Sequence, residues 1–300
     1  MNVVEMTINY TEINEIKMRY QELPKEGREA VIFLHFGGSS LGVWNGVQKY
    51  FEDNYHIIAP DLRCHGFSSH DVDSCHIDDM AKDISELMKR LNIEKAYVVG
   101  SSLGALTAIS LAKNHPEQVL ALVLDGGLYD TDGPDSKDQL IDEEEIKKAK
   151  DDFKKRVLST EKKYYNSKED FIATYRSQWE EYFPWSEIVE KAILDNIIES
   201  KDGKISGTQS AETTWKYIEP LYGVRLREYF KEIKCPVLWL PDEKEKDQEI
   251  VIRNLKKYAK NLPNHEIVTI EGSVHAYTCL LKPEEFASEV LNFIETIKGL

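Results

Sequence analysis

Residues 96–112 decide the fold and read Ala-Tyr-Val-Val-Gly-Ser-Ser-Leu-Gly-Ala-Leu-Thr-Ala-Ile-Ser-Leu-Ala. The first part is a short apolar run with β-branched residues, which predicts a buried strand. The second part has small and apolar residues at helical spacing, which predicts a packed helix. Between them lies the pattern Gly100-x-Ser102-x-Gly104, so the chain is expected to turn sharply from strand to helix at a serine.

The two glycines of this pattern have a steric reason. A turn this tight holds its central residue in a strained backbone conformation, and side chains two residues to either side would collide with it. The turn would expose the Ser102 hydroxyl at the end of a sheet, beside a helix N-terminus that favours developing negative charge. Ser102 is therefore the candidate nucleophile.

A second predicted strand leads into a glycine-rich loop. Residues 30–34 are continuously apolar, as expected of a strand buried on both faces, and Gly37 and Gly38 follow almost at once. Such a loop lets backbone approach a ligand closely. We expect the backbone amides of Phe36 and Leu103 to form an oxyanion hole. Two glycine-rich patterns are typical of nucleotide-binding loops, G-x-G-x-x-G and G-x-x-x-x-G-K-S/T. Neither can be placed here, which disfavours nucleotide binding.

Three motifs at strand ends carry a family resemblance. They are His-Phe-Gly-Gly at 35–38, Asp-Leu-Arg-Cys-His-Gly-Phe-Ser at 61–68, and the serine pattern at 100–104. In this combination the chain resembles the α/β-hydrolase superfamily, in particular its esterase-like members. Two positions depart from the family pattern: Cys64 stands where glycine is usual, and Ser101 stands where histidine is common.

The resemblance implies an α/β fold with a mostly parallel central sheet and flanking helices. The core would comprise residues 1–127 and 226–300, with a helical cap inserted at 128–225. That segment is rich in Glu and Lys, carries interspersed aromatic residues, and lacks buried-strand runs. Most of its aromatic residues are expected to pack inside the cap, because aromatic residues at helical spacing usually do.

The resemblance also implies a catalytic base and an acid. His275 follows the last predicted strand and matches the family's base. Two positions suit the acid equally well: Asp125, at the end of the sixth predicted strand, and Asp247, in the loop after the next core strand. Counting forward along that loop from Pro236 reaches Glu245 instead, which ranks behind both aspartates.

These residues predict a serine hydrolase that cleaves a small ester, thioester, lactone or amide through an acyl-enzyme. No metal or organic cofactor is required by this chemistry. Two alternatives use the same fold: a non-catalytic ligand-binding or signalling protein, and a cofactor-free perhydrolase or haloperoxidase.

Composition disfavours nucleic acid and membrane surfaces as binding partners, which leaves a small-molecule substrate as the expected partner. The 300 residues carry a formal net charge of −15 without a basic stripe, which disfavours nucleic acid and anionic membranes. No apolar run approaches the length of a membrane span. The first residues lack a signal-peptide pattern, and the four cysteines are scattered, which favours a cytoplasmic protein with free thiols. The sequence leaves the oligomeric state open. The cysteines are Cys64, Cys75, Cys235 and Cys279.

Overall fold

The computed structural model describes residues 6–137 and 142–299. Its centre is an eight-stranded sheet in the order β1-β2-β4-β3-β5-β6-β9-β10, and a two-stranded sheet is formed by β7 and β8. The strands are β1 Thr7–Ile13, β2 Ile16–Leu23, β3 Ala30–Leu34, β4 His56–Pro60, β5 Ala96–Ser101, β6 Val119–Asp125, β7 Ile197–Glu199, β8 Ile205–Gly207, β9 Val237–Trp239 and β10 His265–Ile267. The pairs β1–β2 and β2–β4 are antiparallel, and the other pairs of the large sheet are parallel.

Eleven α-helices are present among the described residues. They are α1 Asn45–Gln48, α2 Ile77–Arg90, α3 Leu103–Asn114, α4 Glu143–Leu158, α5 Lys168–Trp179, α6 Glu187–Leu194, α7 Ala211–Ile218, α8 Leu226–Phe230, α9 Glu249–Tyr258, α10 Thr278–Leu281 and α11 Pro283–Lys298. None of them, in the part of the chain that the structure describes, combines the length and apolar character needed to cross a bilayer.

Helices cover both faces of the large sheet, which explains the continuously apolar strands. Successive residues of a strand point to opposite faces. Accordingly Ile32 packs in one buried cluster with α2, α3, α8 and α9, and Phe33 packs in another with α1 and α11. The predicted α/β architecture, with a mostly parallel sheet between layers of helices, is confirmed.

An insert between β6 and β9 contains α4 to α7 and the β7–β8 hairpin. A partly buried ionic network connects it to the core. Arg19 on β2 donates to Asp61 after β4 (2.6 Å) and to Asp195 at the end of α6 (2.6 Å). The next residue, Asn196, donates to the carbonyl of Gly38 (3.0 Å). The insert is thus bonded directly to the loop that follows β3.

The prediction of four free thiols is wrong for two of the cysteines. Cys64 and Cys75 form a disulfide, with their Cα atoms 6.3 Å apart, while Cys235 and Cys279 are free and buried. The loop between β4 and α2 folds back on itself and brings the two residues into bonding range. Their spacing in the sequence gave no sign of this approach.

The turn between β5 and α3 is closely packed. Ser102 has a φ of +49°, which is rare for a residue with a side chain. A Cβ atom on Gly104 would overlap the carbonyl oxygen of Leu34 and lie 2.8 Å from that of His35. A Cβ on Gly100 would overlap the backbone of Gly104. The glycines therefore let the start of α3 lie directly against the end of β3.

We predict that Gly104→Ala destabilises the fold by about 3 kcal/mol or more, because backbone atoms of the adjacent strand would have to move. Chemical denaturation would measure the loss. Gly223→Ala is the matched control, since a Cβ there meets nothing within 4 Å and should change stability little. Equal stability of the two variants would contradict the packing described for the turn.

Candidate active site

Ser102 and His275 meet at the carboxyl edge of the sheet. Ser102 ends the turn after β5, and His275 lies in the loop between β10 and α10. The Ser102 Oγ and His275 Nε2 atoms are 3.2 Å apart. A Cβ on Gly126, which follows β6, would lie 3.1 Å from the Ser102 Cα and 3.7 Å from the His275 ring, so this glycine leaves room for the pair.

The other ring nitrogen of His275 faces Glu245. The Nδ1 atom lies 3.2 Å from Glu245 Oε1, an ion-pair distance, although the N–H direction is not aligned for a hydrogen bond. Catalytic hydrogen bonds are often loose before substrate binds. With a proton on Nδ1, the Nε2 atom is free to accept the proton of Ser102. The Glu245 side chain is 3% exposed, whereas that of His275 is 41% exposed.

A tight turn aims Glu245 inward. The carboxylate of Asp242 accepts hydrogen bonds from the amides of Lys244 (2.6 Å) and Glu245 (2.8 Å). It also accepts one from the amide of His275 (2.8 Å), which joins the two loops. Tyr129 donates to Glu245 Oε1 (3.1 Å) and fixes its side chain.

The pKa values of His275 and Glu245 both shift in the direction that favours the charged form of each side chain. Burial by itself would lower the pKa of His275, but contact with Glu245 and the nearby Asp125 and Asp242 carboxylates raise it above its ordinary value. Burial by itself would raise the pKa of Glu245, but His275, the Asp242 amide and Tyr129 lower it. Glu245 therefore stays ionised and favours a protonated His275.

The two aspartates that the sequence favoured as the acid lie in different environments in the structure. Asp247 is exposed to solvent. Asp125 is buried at the end of β6, where its side chain accepts a hydrogen bond from Ser101 (2.8 Å) and its carbonyl accepts one from the Ser102 amide (2.7 Å). Burial raises the pKa of Asp125 to about 7, partly offset by His275 and Ser101. Of the three sequence candidates, Glu245, which ranked last, is the one beside Nδ1.

The two amides expected to face an oxyanion lie on adjoining segments. Leu103 is the first residue of α3, so its amide has no acceptor within the helix. Phe36 follows β3, and its carbonyl accepts hydrogen bonds from His35 Nδ1 (2.8 Å) and the Ser39 amide (3.3 Å). These bonds fix the orientation of the loop, and Gly104 brings α3 against it.

His35 shapes this loop from within. It is fully buried, its Nδ1 bonds the Phe36 carbonyl, and its Nε2 accepts a hydrogen bond from the Leu62 amide (3.0 Å). Burial lowers the pKa of His35, so the ring is neutral. Both nitrogens are occupied, which suits a structural residue and not a proton carrier.

One group among the described residues has the spacing of a metal site. The ligand atoms of Asp242, Glu245 and His275 lie within 4.8 Å of one another. Both carboxylates already accept hydrogen bonds from amides or a hydroxyl, and these bonds position His275. These hydrogen bonds account for the positions of the two carboxylates beside His275, so the cluster gives no separate argument for a bound metal ion.

A cavity of about 570 Å³ lies between the insert and the core. On the core side it is lined by Phe36 and Tyr277, from the loops that carry the candidate oxyanion amide and His275. On the insert side it is lined by aromatic residues, among them Tyr175 and Trp179. Trp179 packs edge-on against Tyr277 (5.1 Å between ring centres), so the insert contacts the loop that carries His275.

Three residues around the site were not identified from the sequence. Tyr129 and Asp242 orient Glu245 and His275, and Ser101 engages Asp125. Ser101 was noted only as a departure from the family pattern. The proline before Asp242 marked a loop start, but nothing in the spacing revealed which carboxylate would turn inward.

Comparison with known proteins gives relatives that are named hydrolases. The chain is 27% identical over 289 residues to a 2-hydroxy-6-oxononadienedioate/2-hydroxy-6-oxononatrienedioate hydrolase of Burkholderia vietnamiensis, which covers 93% of this chain and 91% of that one. It is 35% identical over 104 residues to 3-oxoadipate enol-lactonase 2 of Acinetobacter baylyi, covering 35% of this chain and 39% of the relative. The chain thus matches less than half the length of this and some other curated relatives.

The fold has close structural counterparts as well. The crystal structure of an E-2-(acetamidomethylene)succinate hydrolase superposes with a TM-score of 0.77 at 21% identity, over 97% of this chain and 100% of that one. A model of the alpha/beta hydrolase fold family matches residues 29–276, which is most of the chain. With the parallel sheet, the sharp turn at Ser102 and the facing His275 in place, the chain belongs to the α/β-hydrolase family.

Proposed function

We propose that this protein is a serine hydrolase that cleaves an ester, thioester, lactone or amide of a small molecule. The observation that carries the proposal is the pair of contacts made by His275. Its Nε2 atom lies 3.2 Å from Ser102 Oγ, and its Nδ1 atom lies 3.2 Å from Glu245 Oε1. A serine hydroxyl becomes a strong nucleophile when a base accepts its proton and a third group orients that base. The named relatives are hydrolases, which supports the same class of reaction.

The proposed reaction has two halves. Ser102 Oγ attacks the carbonyl carbon while His275 Nε2 accepts the hydroxyl proton, and the carbonyl oxygen becomes an oxyanion. The oxyanion collapses, the bond to the leaving group breaks, and His275 returns the proton to that group. Water then attacks the acyl carbon while it gives a proton to His275. The bond between the acyl carbon and Ser102 Oγ breaks, His275 returns the proton to Oγ, and the carboxylic acid product leaves.

The oxyanion would be stabilised by the amides of Phe36 and Leu103. Support comes from Gly104, whose contact with the end of β3 brings the two segments together. The N-terminus of α3 adds favourable dipole charge at the same place. Removal of one such donor typically costs about 100- to 1000-fold in kcat.

We also propose that the insert, residues 128–225, acts as a cap over the site. It lines one side of the cavity beside Phe36 and is bonded to the β3 loop through Asn196. A cap of this kind excludes water and selects the substrate.

Labelling with a fluorophosphonate probe tests the proposal. We expect stoichiometric labelling of the folded wild type and turnover of p-nitrophenyl acetate, both lost in Ser102→Ala. Ser101→Ala is the matched control, because this neighbouring serine faces Asp125 and should leave labelling intact. Folded wild type that takes no label, or labels without turnover, would favour a non-catalytic binding protein. Peroxide-dependent halogenation would favour the haloperoxidase alternative.

Substitutions of the carboxylates should separate their roles. We expect Glu245→Gln to lower kcat by about 100- to 10,000-fold, because His275 loses the group that orients its ring and stabilises its charge. Asp247→Asn should leave kcat unchanged, since Asp247 is exposed. A larger loss in Asp125→Asn than in Glu245→Gln would contradict the assignment of Glu245 as the acid. Turnover of p-nitrophenyl acetate measures all three variants.

The pH profile reports His275. Its ring must be neutral to accept a proton, so kcat/KM should fall as pH drops through its pKa. Because contact with Glu245 raises that pKa, we expect the acidic limb in wild type above about pH 6.5, the ordinary histidine value. In Glu245→Gln the limb should move to lower pH. A limb that stays in place would show that Glu245 does not act on His275.

A further inference from the structure

The cavity beneath the insert has mostly apolar walls. Six aromatic side chains line it, together with aliphatic and uncharged polar residues. The aromatic residues are Phe36, Tyr165, Phe171, Tyr175, Trp179 and Tyr277, the first of which also belongs to the candidate oxyanion loop. At about 570 Å³ the cavity has the size of a small-molecule site. Apart from tyrosines, its titratable lining consists of Glu161, Lys162 and Lys163.

Lys162 differs from the other two charged residues of the lining. Glu161 and Lys163 are exposed, whereas Lys162 is partly buried in the segment between α4 and α5. No carboxylate in the described part of the chain lies within ion-pair distance of its Nζ atom. Its pKa is lowered, and the cause is burial alone, without a neighbouring charge.

A partly buried ammonium without a counter-ion is unfavourable in the unliganded protein. Lost hydration disfavours the charged form of the lysine, and a bound anion would stabilise that form again. A ligand that fits the cavity would combine an apolar body, to contact the aromatic walls, with one negative group at Lys162.

We propose that the cavity binds a substrate with a free carboxylate and that Lys162 is the residue that recognises it. This inference rests on the proposed hydrolase function and narrows its substrate class. The ester or lactone carbonyl would lie at the Phe36 end, and the carboxylate would lie at Lys162, with an apolar chain or ring between them. Lys162 would be a specificity residue, with no part in bond breaking.

Binding to the Ser102→Ala variant tests the inference without relying on turnover. Calorimetry would compare monomethyl adipate, which carries a free carboxylate, with dimethyl adipate, which does not. We expect the monoester to bind about 10- to 100-fold more tightly, in keeping with a hydrogen bond between charged groups. Adding Lys162→Met should remove the difference. Lys168→Met, which removes an exposed lysine of the same insert, should preserve it.

Kinetics separate this inference from the proposed function. With p-nitrophenyl adipate and its methyl ester as substrates, Lys162→Met should lower kcat/KM for the first by about 10- to 100-fold and leave the second unchanged. Equal binding of the two adipate esters, or a preference that survives Lys162→Met, would overturn the role of Lys162. A binding preference without turnover of either substrate would support the role of Lys162 and overturn the hydrolase proposal.

Discussion

The close approach of α3 to β3 through Gly104 is the constraint on which the site depends. It fixes where the helix begins, and so it fixes Ser102 in a backbone conformation with a φ of +49°. The same contact places the free amide of Leu103 beside the loop that contains Phe36. The neighbouring strands hold this turn from both sides, since Gly104 lies against Leu34 of β3 and the Ser102 amide donates to the carbonyl of Asp125 on β6.

Electrostatics distinguish Glu245 from Asp125 as the carboxylate partner of His275. A buried carboxylate needs hydrogen bonds and a partner charge to remain ionised. Glu245 has Tyr129, a backbone amide and His275 around it, so its pKa is lowered despite burial. Asp125 is buried with fewer compensating groups, and its pKa rises to about 7. Two carboxylates near one histidine thus have different properties, set by their surroundings.

What could be predicted from the sequence was local in the chain. The turn at Ser102 is specified by residues within two positions of it, because sterics at that distance demand glycine. The sheet also followed, since strands buried on both faces are continuously apolar. The position of His275 came from the family resemblance, in a loop whose place in the fold the structure now shows.

What could not be predicted depends on contacts between distant segments. The inward turn of Glu245 is set by Asp242 and its bond to the His275 amide, 33 residues apart. Counting along the loop could not distinguish Glu245 from Asp247, because both lie in a charged run and only the folded turn exposes one and buries the other. The Cys64–Cys75 disulfide likewise arises from a loop that folds back without a sequence signature.

Together these features describe a serine with a positive φ, a histidine that lies between this serine and a buried glutamate, and an insert that lines the adjoining cavity. The most direct measurement is rapid-quench mass spectrometry with p-nitrophenyl acetate, followed by peptide mapping. We predict one acetyl group per chain before steady state, on the peptide that contains Ser102, with slower decay in Glu245→Gln. Hydrolysis that proceeds without an acetylated intermediate, or with the acetyl group on another residue, would contradict Ser102 as the nucleophile.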